Sequence, residues 1–227
     1  MKGYSIVDNQ RIEPHIKFLR INPSDIKLTL KNVLDSLMNL SWLSNFDEDY
    51  LVDSYKLRCE QSIKHISTNI IKQNDSSVTR SSGEYIVSEL ARSSVVDTHS
   101  YLDIPIADLF KKQIAGNPGF DFYTLNSNKN ILFGEAKYIA KQSGHLSALK
   151  QSYNFYTQKQ HITEIADIQN FFCKESLANC KKDEIGFMVA FSAKKTTTKN
   201  FIDIIKKNPN YQEIIKFKEV ILIAVNI

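Results

Sequence analysis

Apolar positions change period along this chain, and each change marks an element. Ile12, Ile16, Phe18, Leu19 and Ile21 alternate weakly, which fits an edge strand ahead of Asn22, Pro23 and Ser24. Ile26, Leu30, Val33, Leu34, Leu37 and Met38 then recur at helical spacing and predict a first helix over 24–40, with Ser24 as its N-cap. Leu51, Tyr55, Cys59, Ile63, Ile66 and Ile70 repeat the pattern over 49–72, so a turn at 41–47 joins the two as an α-hairpin. The polar run 73–82 reads as a linker and divides a helical region, 1–80, from the remainder, 81–227.

A third helix is predicted over 81–96, with Ser81 and Glu84 spaced as a capping box. At roughly 100° per residue, Glu84 falls about 80° from the centre of its apolar sector and Glu89 about 140° away. Glu84 is thus expected at the edge of a buried site and Glu89 in water. Residues 98–119 read as irregular, with a turn or strand at 104–106 and a short helix over 108–114. Residues 144–172 form one or two helices. The runs 185–192 (IGFMVAFS) and 219–227 (EVILIAVNI) read as buried strands flanking a helix over 196–207. Near-continuous apolar strands alternating with helices give an α/β class, a mixed sheet covered on both faces.

Residues 119–138 (GFDFYTLNSNKNILFGEAKY) hold the densest chemistry. An aromatic and β-branched segment, turn residues at 126–130 and a second apolar segment predict a β-hairpin. Side chains alternate across a strand, so Glu135 and Lys137 share a face with Phe133, and Asp121 shares one with Tyr123. Gly134 and Ala136 on the opposite face leave room for a helix to approach. Two carboxylates and an ammonium converging there are costly unless paired or bound to a metal.

Composition narrows the class. With 42% hydrophobic and 24% charged residues the chain reads as globular, and its longest apolar run, 220–225, is too short to span a bilayer. No membrane association and a cytoplasmic location are therefore expected. Residues 1–100 carry 12 basic and 13 acidic side chains, a net of −1, whereas 101–227 carry 17 and 12, a net of +5. The basic excess lies with the hairpin and suits a phosphate-bearing partner. Three scattered cysteines argue against a disulfide framework, and Cys173, Cys180, His145 and His161 match no usual zinc-ligand spacing. His99 also lacks a partner pattern, and Trp42 reads as a packing anchor between the first two helices.

Glu84 on a helix, Asp121 in Gly119-Phe120-Asp121 and Glu135-Ala136-Lys137 on the next strand resemble the signature of the PD-(D/E)xK nuclease superfamily. More narrowly, Gly83-Glu84, the GFD segment and Gly134-Glu135-Ala136-Lys137-Tyr138 resemble the nuclease subunit of Hachiman-type bacterial anti-phage defence systems. The superfamily likeness covers about residues 81–225. The proline of its signature is absent, since Phe120 stands before Asp121.

The resemblance implies a restriction-endonuclease-like core with an N-terminal helical extension that docks a partner. It implies a deoxyribonuclease of low sequence specificity, controlled by a helicase-like ATPase. Asp121 and Glu135 would hold Mg²⁺ or Mn²⁺ with Glu84, and the Ala136 carbonyl would add a ligand, as at the matching position of the family. Carboxylate oxygens suit these hard cations, and Lys137 would orient water or stabilise charge. Lys141, Lys150, Gln151, Lys194 and Lys195 are the candidate DNA contacts. Two alternatives stand beside this reading: a stand-alone restriction-type endonuclease, and a catalytically idle module that binds nucleic acid or protein.

Overall fold

The computed structural model describes residues 3–71, 80–111, 119–193 and 196–227. The apolar runs near the C-terminus become the middle of a six-stranded mixed sheet. Its strands are β1 (Tyr4–Glu13), β2 (Ile16–Pro23), β3 (Phe122–Leu125), β4 (Ile131–Lys137), β5 (Gly186–Ser192) and β6 (Glu219–Val225), in the order β1-β2-β6-β5-β4-β3. The four inner strands run parallel, and an antiparallel hairpin closes each side. Because β5 and β6 are buried at every position, both faces must be covered by helices.

The helices are α1 (Ile26–Met38), α2 (Asp49–Ile71), α3 (Arg80–His99), α4 (Ala107–Phe110), α5 (His145–Thr157), α6 (Gln160–Thr163), α7 (Ile165–Ile168), α8 (Lys174–Lys181), α9 (Thr198–Lys206) and α10 (Pro209–Ile214). On one face, Leu90, Ala91 and Val95 of α3 join Met188, Ile221 and Ile223 in a buried core. On the other, Leu149 and Phe155 of α5 pack with Phe133, Phe187 and Val189. The chain is therefore a mixed α/β protein with its sheet between helical layers.

The N-terminal region departs from the expected helical extension. It opens with the β1–β2 hairpin, and β2 lies inside the sheet, parallel to β6. Ile16 and Phe18 point into one core and Leu19 and Ile21 into the other, all fully buried. Burial on both faces erases the alternation that marks a half-exposed strand, so the segment reads weakly. The sheet thus crosses the expected boundary at residue 80.

Local differences have local causes. Asp25, not Ser24, caps α1: its carboxylate accepts from the Leu28 amide at 3.0 Å, while the Ser24 hydroxyl donates to the Gly3 carbonyl at 3.3 Å. The start of α3 at Arg80 puts Ser81 inside the first turn rather than at the cap, and the helix continues to His99. Lys159, with φ of 58°, divides α5 from α6, so the long helical pattern breaks into pieces. The linker residues 72–79, and the expected helical residues beyond Lys111 up to 114, lie outside the described residues. The short helices α8 and α10 were not expected from the apolar spacing.

Trp42 anchors an aromatic cluster with Phe46, Tyr55, Phe110 and Phe171, at centroid distances of 5.6–6.5 Å. This cluster packs the segment between α1 and α2 onto α4. Glu89 is the clearest correction, for it is buried rather than in water. Its carboxylate accepts from Arg92 at 2.6 and 2.8 Å and from Ser36 of α1 at 2.5 Å. The docking of α1 against α3 covers the helix face that its own periodicity assigns to solvent.

Candidate active site

β4 is longer than β3, and the candidate site occupies the difference. The β3–β4 ladder ends at the Phe122–Gly134 pair, leaving Glu135, Ala136 and Lys137 without a β3 neighbour. Asp121 bends across that gap. Its amide donates to the Gly134 carbonyl at 2.8 Å, and its carboxylate accepts from the Ala136 amide at 2.7 Å. The amide and carbonyl of one strand residue leave on the same side, so the Ala136 carbonyl faces the same gap.

Glu135 is 1% exposed. The Lys137 ammonium lies 3.0 Å from its Oε1, while Oε2 has no hydrogen-bond partner among the described residues. Lys137 also lies 3.3 Å from Glu84 Oε1, so one ammonium joins the strand acid to the helix acid. Glu84 itself is exposed on α3. The approach of α3 depends on Gly83, where a Cβ would stand 2.1 Å from the Tyr138 ring. Gly134 plays a different part from the one expected, since the Phe122 ring, not a helix, fills its space.

The electrostatics follow from burial. Desolvation pushes the Asp121 carboxyl up to about 7, opposed by the Ala136 hydrogen bond and Lys137. Desolvation and the neighbouring Asp121 raise Glu135 well above the usual carboxylate range. Lys137, held by Glu135, Asp121 and Glu84, stays charged with its pKa raised against the effect of burial. Two buried carboxylates share one ammonium and remain short of positive charge.

That shortfall, with Glu135 Oε2 lacking a hydrogen-bond partner among the described residues, is the fit expected for a hard divalent cation. The ligand set is incomplete in this arrangement, because no group of three or more His, Cys, Asp or Glu side chains gathers at metal-binding spacing among the described residues. Glu84 instead contacts the Lys137 ammonium, 3.3 Å away. Cys173, Cys180, His145 and His161, whose spacing argues against zinc, form no such group among the described residues, and His145 sits between Phe191 and Phe201.

Sequence reasoning missed Asp108 and Tyr85. Asp108 lies in the first turn of α4, whose Ala107 amide donates to the Asp121 carbonyl at 2.8 Å, and its charge raises the Asp121 carboxyl more than Glu84 does. The Tyr85 hydroxyl hydrogen-bonds Asp108. Both line a cavity of about 240 Å³ together with Arg58 and His65 of α2 and Lys111. Asp108 follows an irregular stretch, so nothing in its spacing marks it; Tyr85 stands next to Glu84, the one signal available.

Of the candidate DNA contacts, Lys141 is exposed in the loop after β4 and Lys150 is exposed on α5, while Gln151 is half-buried. Lys194 and Lys195 lie outside the described residues. No protein-family model, curated protein or solved structure matches the chain. No helix among the described residues is long and apolar enough to cross a membrane.

Proposed function

We propose that this chain is a metal-dependent nuclease that hydrolyses DNA phosphodiester bonds using Mg²⁺ or Mn²⁺, on a restriction-endonuclease-like core. The observation that carries the reading is the buried pair Asp121 and Glu135, short of positive charge beside Lys137 at an open strand edge. Asp121, Glu135 and the Ala136 carbonyl are the residues that would hold the cation, with Glu84 joining when it leaves Lys137. A bound divalent cation supplies charge neutralisation to phosphoryl oxygens and acidifies a water.

The chain's own groups have the remaining work. The Ala136 amide fixes the orientation of Asp121, and the Asp121 amide bond to Gly134 holds its backbone in register. Lys137 faces the reacting phosphate with a proton-bearing ammonium that stabilises developing charge or orients the attacking water. Arg58 in the adjoining cavity, and Lys141 and Lys150 nearer α5, provide positive charge for the strand's other phosphates.

The motif resemblance alone supports a role as effector subunit of a bacterial anti-phage defence system under a helicase-like ATPase. A stand-alone restriction-type enzyme would share the same chemistry and differ in giving discrete fragments. The idle binding module draws on one observation, the engagement of Glu84 with Lys137 in place of a three-acid group.

The deciding experiment is cleavage of plasmid and linear DNA with Mg²⁺, Mn²⁺ or EDTA by the wild type, Glu135→Ala and Lys137→Ala. Metal-dependent cleavage lost in both variants supports the reading. Absence of cleavage together with absence of metal uptake by the wild type rejects it.

A further inference from the structure

The residue preceding Asp121 is held from both sides by a buried ion pair. Glu164, at the start of α7, is 3% exposed and accepts from the Phe120 amide at 3.0 Å through Oε1. Its Oε2 lies 2.9 Å from the Lys111 ammonium, and Lys111 in turn donates to the Phe120 carbonyl at 3.1 Å. Gln160 Nε2, at 3.1 Å, and the Tyr123 hydroxyl, at 2.5 Å, complete the coordination of Glu164. Both backbone groups of Phe120 therefore end on one carboxylate–ammonium pair.

This arrangement compensates for the position of the segment at the sheet edge. β3 is the last strand, so its outer side has no neighbouring strand. The Glu164–Lys111 pair takes the place of that strand at Phe120. At the next residue, the amide of Asp121 is bound to Gly134 and its carbonyl to the Ala107 amide. Four consecutive backbone groups, three before the Asp121 side chain and one after it, are thus fixed. Gly119 is what lets the pair come so close: a Cβ there would lie 2.4 Å from Glu164 Oε1 and 2.9 Å from Lys111 Nζ.

Resting on the nuclease reading above, we propose that Glu164 and Lys111 are positioning residues for Asp121, and that Gly119 serves to admit them. The pair touches no reacting atom. It sets the path of the backbone from which the Asp121 carboxylate reaches the cation. Groups that orient a metal ligand typically alter metal affinity or activity by about tenfold to a hundredfold when changed.

The test uses the full chain and Mn²⁺ alone as the probe. Mn²⁺ affinity is measured by calorimetry or electron paramagnetic resonance, and cleavage is measured across a Mn²⁺ titration, for the wild type, Gly119→Ala, Glu164→Gln and, as a control at an exposed ion pair, Glu213→Gln. Gly119→Ala displaces the pair without removing a charge, and Glu164→Gln keeps an oxygen for the Phe120 amide while leaving Lys111 unpaired. The expected result is a Mn²⁺ dissociation constant at least tenfold weaker in Gly119→Ala and Glu164→Gln, with cleavage largely restored at high Mn²⁺ and Glu213→Gln unchanged. A purely structural pair would lower the melting temperature and leave the affinity of the folded fraction at the wild-type value, which overturns the assignment. Should one variant fail to fold, the other decides it by the same readout. Wild-type protein that takes up Mn²⁺ and cleaves, alongside unaffected variants, rejects this inference alone; wild-type protein that takes up none rejects the nuclease reading and this inference with it.

Discussion

The Asp121 carboxylate accepts a 2.7 Å hydrogen bond from the Ala136 amide, across the gap where β3 has ended and β4 continues. One bond thus joins two halves of the site that are separated by a turn, and it presents a charged oxygen to an interior that penalises charge.

The raised Asp121 carboxyl makes the metal-free fold pH-dependent. Its value moves from 3.8 to about 7, so between those limits the folded state binds the proton that the unfolded state has released. Stability is therefore undiminished at low pH and falls as pH rises through that window, by at most about 4 kcal/mol for this group. Asp121→Asn keeps an acceptor for the Ala136 amide and removes the charge. In EDTA its unfolding free energy should exceed the wild-type value at pH 8 and converge with it near pH 4, as denaturant titrations at both pH values would reveal. Unchanged stability at pH 8 would contradict the assigned cost of ionising Asp121.

Lys137 and Glu135 should behave as a coupled pair. Lys137→Met leaves a buried carboxylate without its cation, which favours the protonated form. The variant is expected to lose roughly 1–3 kcal/mol at pH 8 and much less at pH 5, with the double variant Glu135→Gln, Lys137→Met regaining stability. A double-mutant cycle in urea measures this directly. Additive losses would mean that the two side chains do not interact in the folded chain.

Metal uptake should compete with protons. Because Asp121 and Glu135 are both held above the usual carboxylate range by burial, a cation must displace protons that linger near neutrality. Mg²⁺ at a hundred times its dissociation constant stabilises a one-site fold by about 2.7 kcal/mol. Melting curves with Mg²⁺ and with EDTA should therefore separate more at pH 8 than at pH 6, and calorimetry in two buffers should register proton release. Equal separation at both pH values would place the cation away from these acids.

The hairpin was legible because its turn residues and apolar segments are local, and Glu135 and Lys137 follow from strand alternation alone. Asp121 was legible by the same rule, although it lies one residue outside β3. What escaped depends on contacts distant in sequence. β2 shows little period because it is buried on both faces, and its partner β6 lies some two hundred residues away. Glu164 gains its partners only when Lys111 and the Phe120 backbone are brought to it. Asp108 and Tyr85 become neighbours of Asp121 only once α4 docks.

Glu89 gives the sharpest test of how the N-terminal elements are attached. Arg92 donates to it at 2.6 and 2.8 Å, also pairs with Asp103, and lies 3.0 Å from the Ser36 hydroxyl, so a single guanidinium ties α3 to α1 and to the segment leading to α4. Arg92→Met removes the charge but keeps much of the packing volume, leaving Glu89 buried and unpaired. A loss of roughly 3–5 kcal/mol is expected, the usual cost of breaking a buried pair from one side. Glu89→Gln together with Arg92→Met should recover much of it, since neither charge is then stranded. Cleavage per folded molecule should be unaltered in the double variant, because Glu89 lies on the α1 side of α3 whereas Glu84 meets Lys137. Urea titrations paired with cleavage assays on the same preparations measure both. Cleavage lost in a stably folded double variant would move Arg92 from this structural tie into contact with substrate.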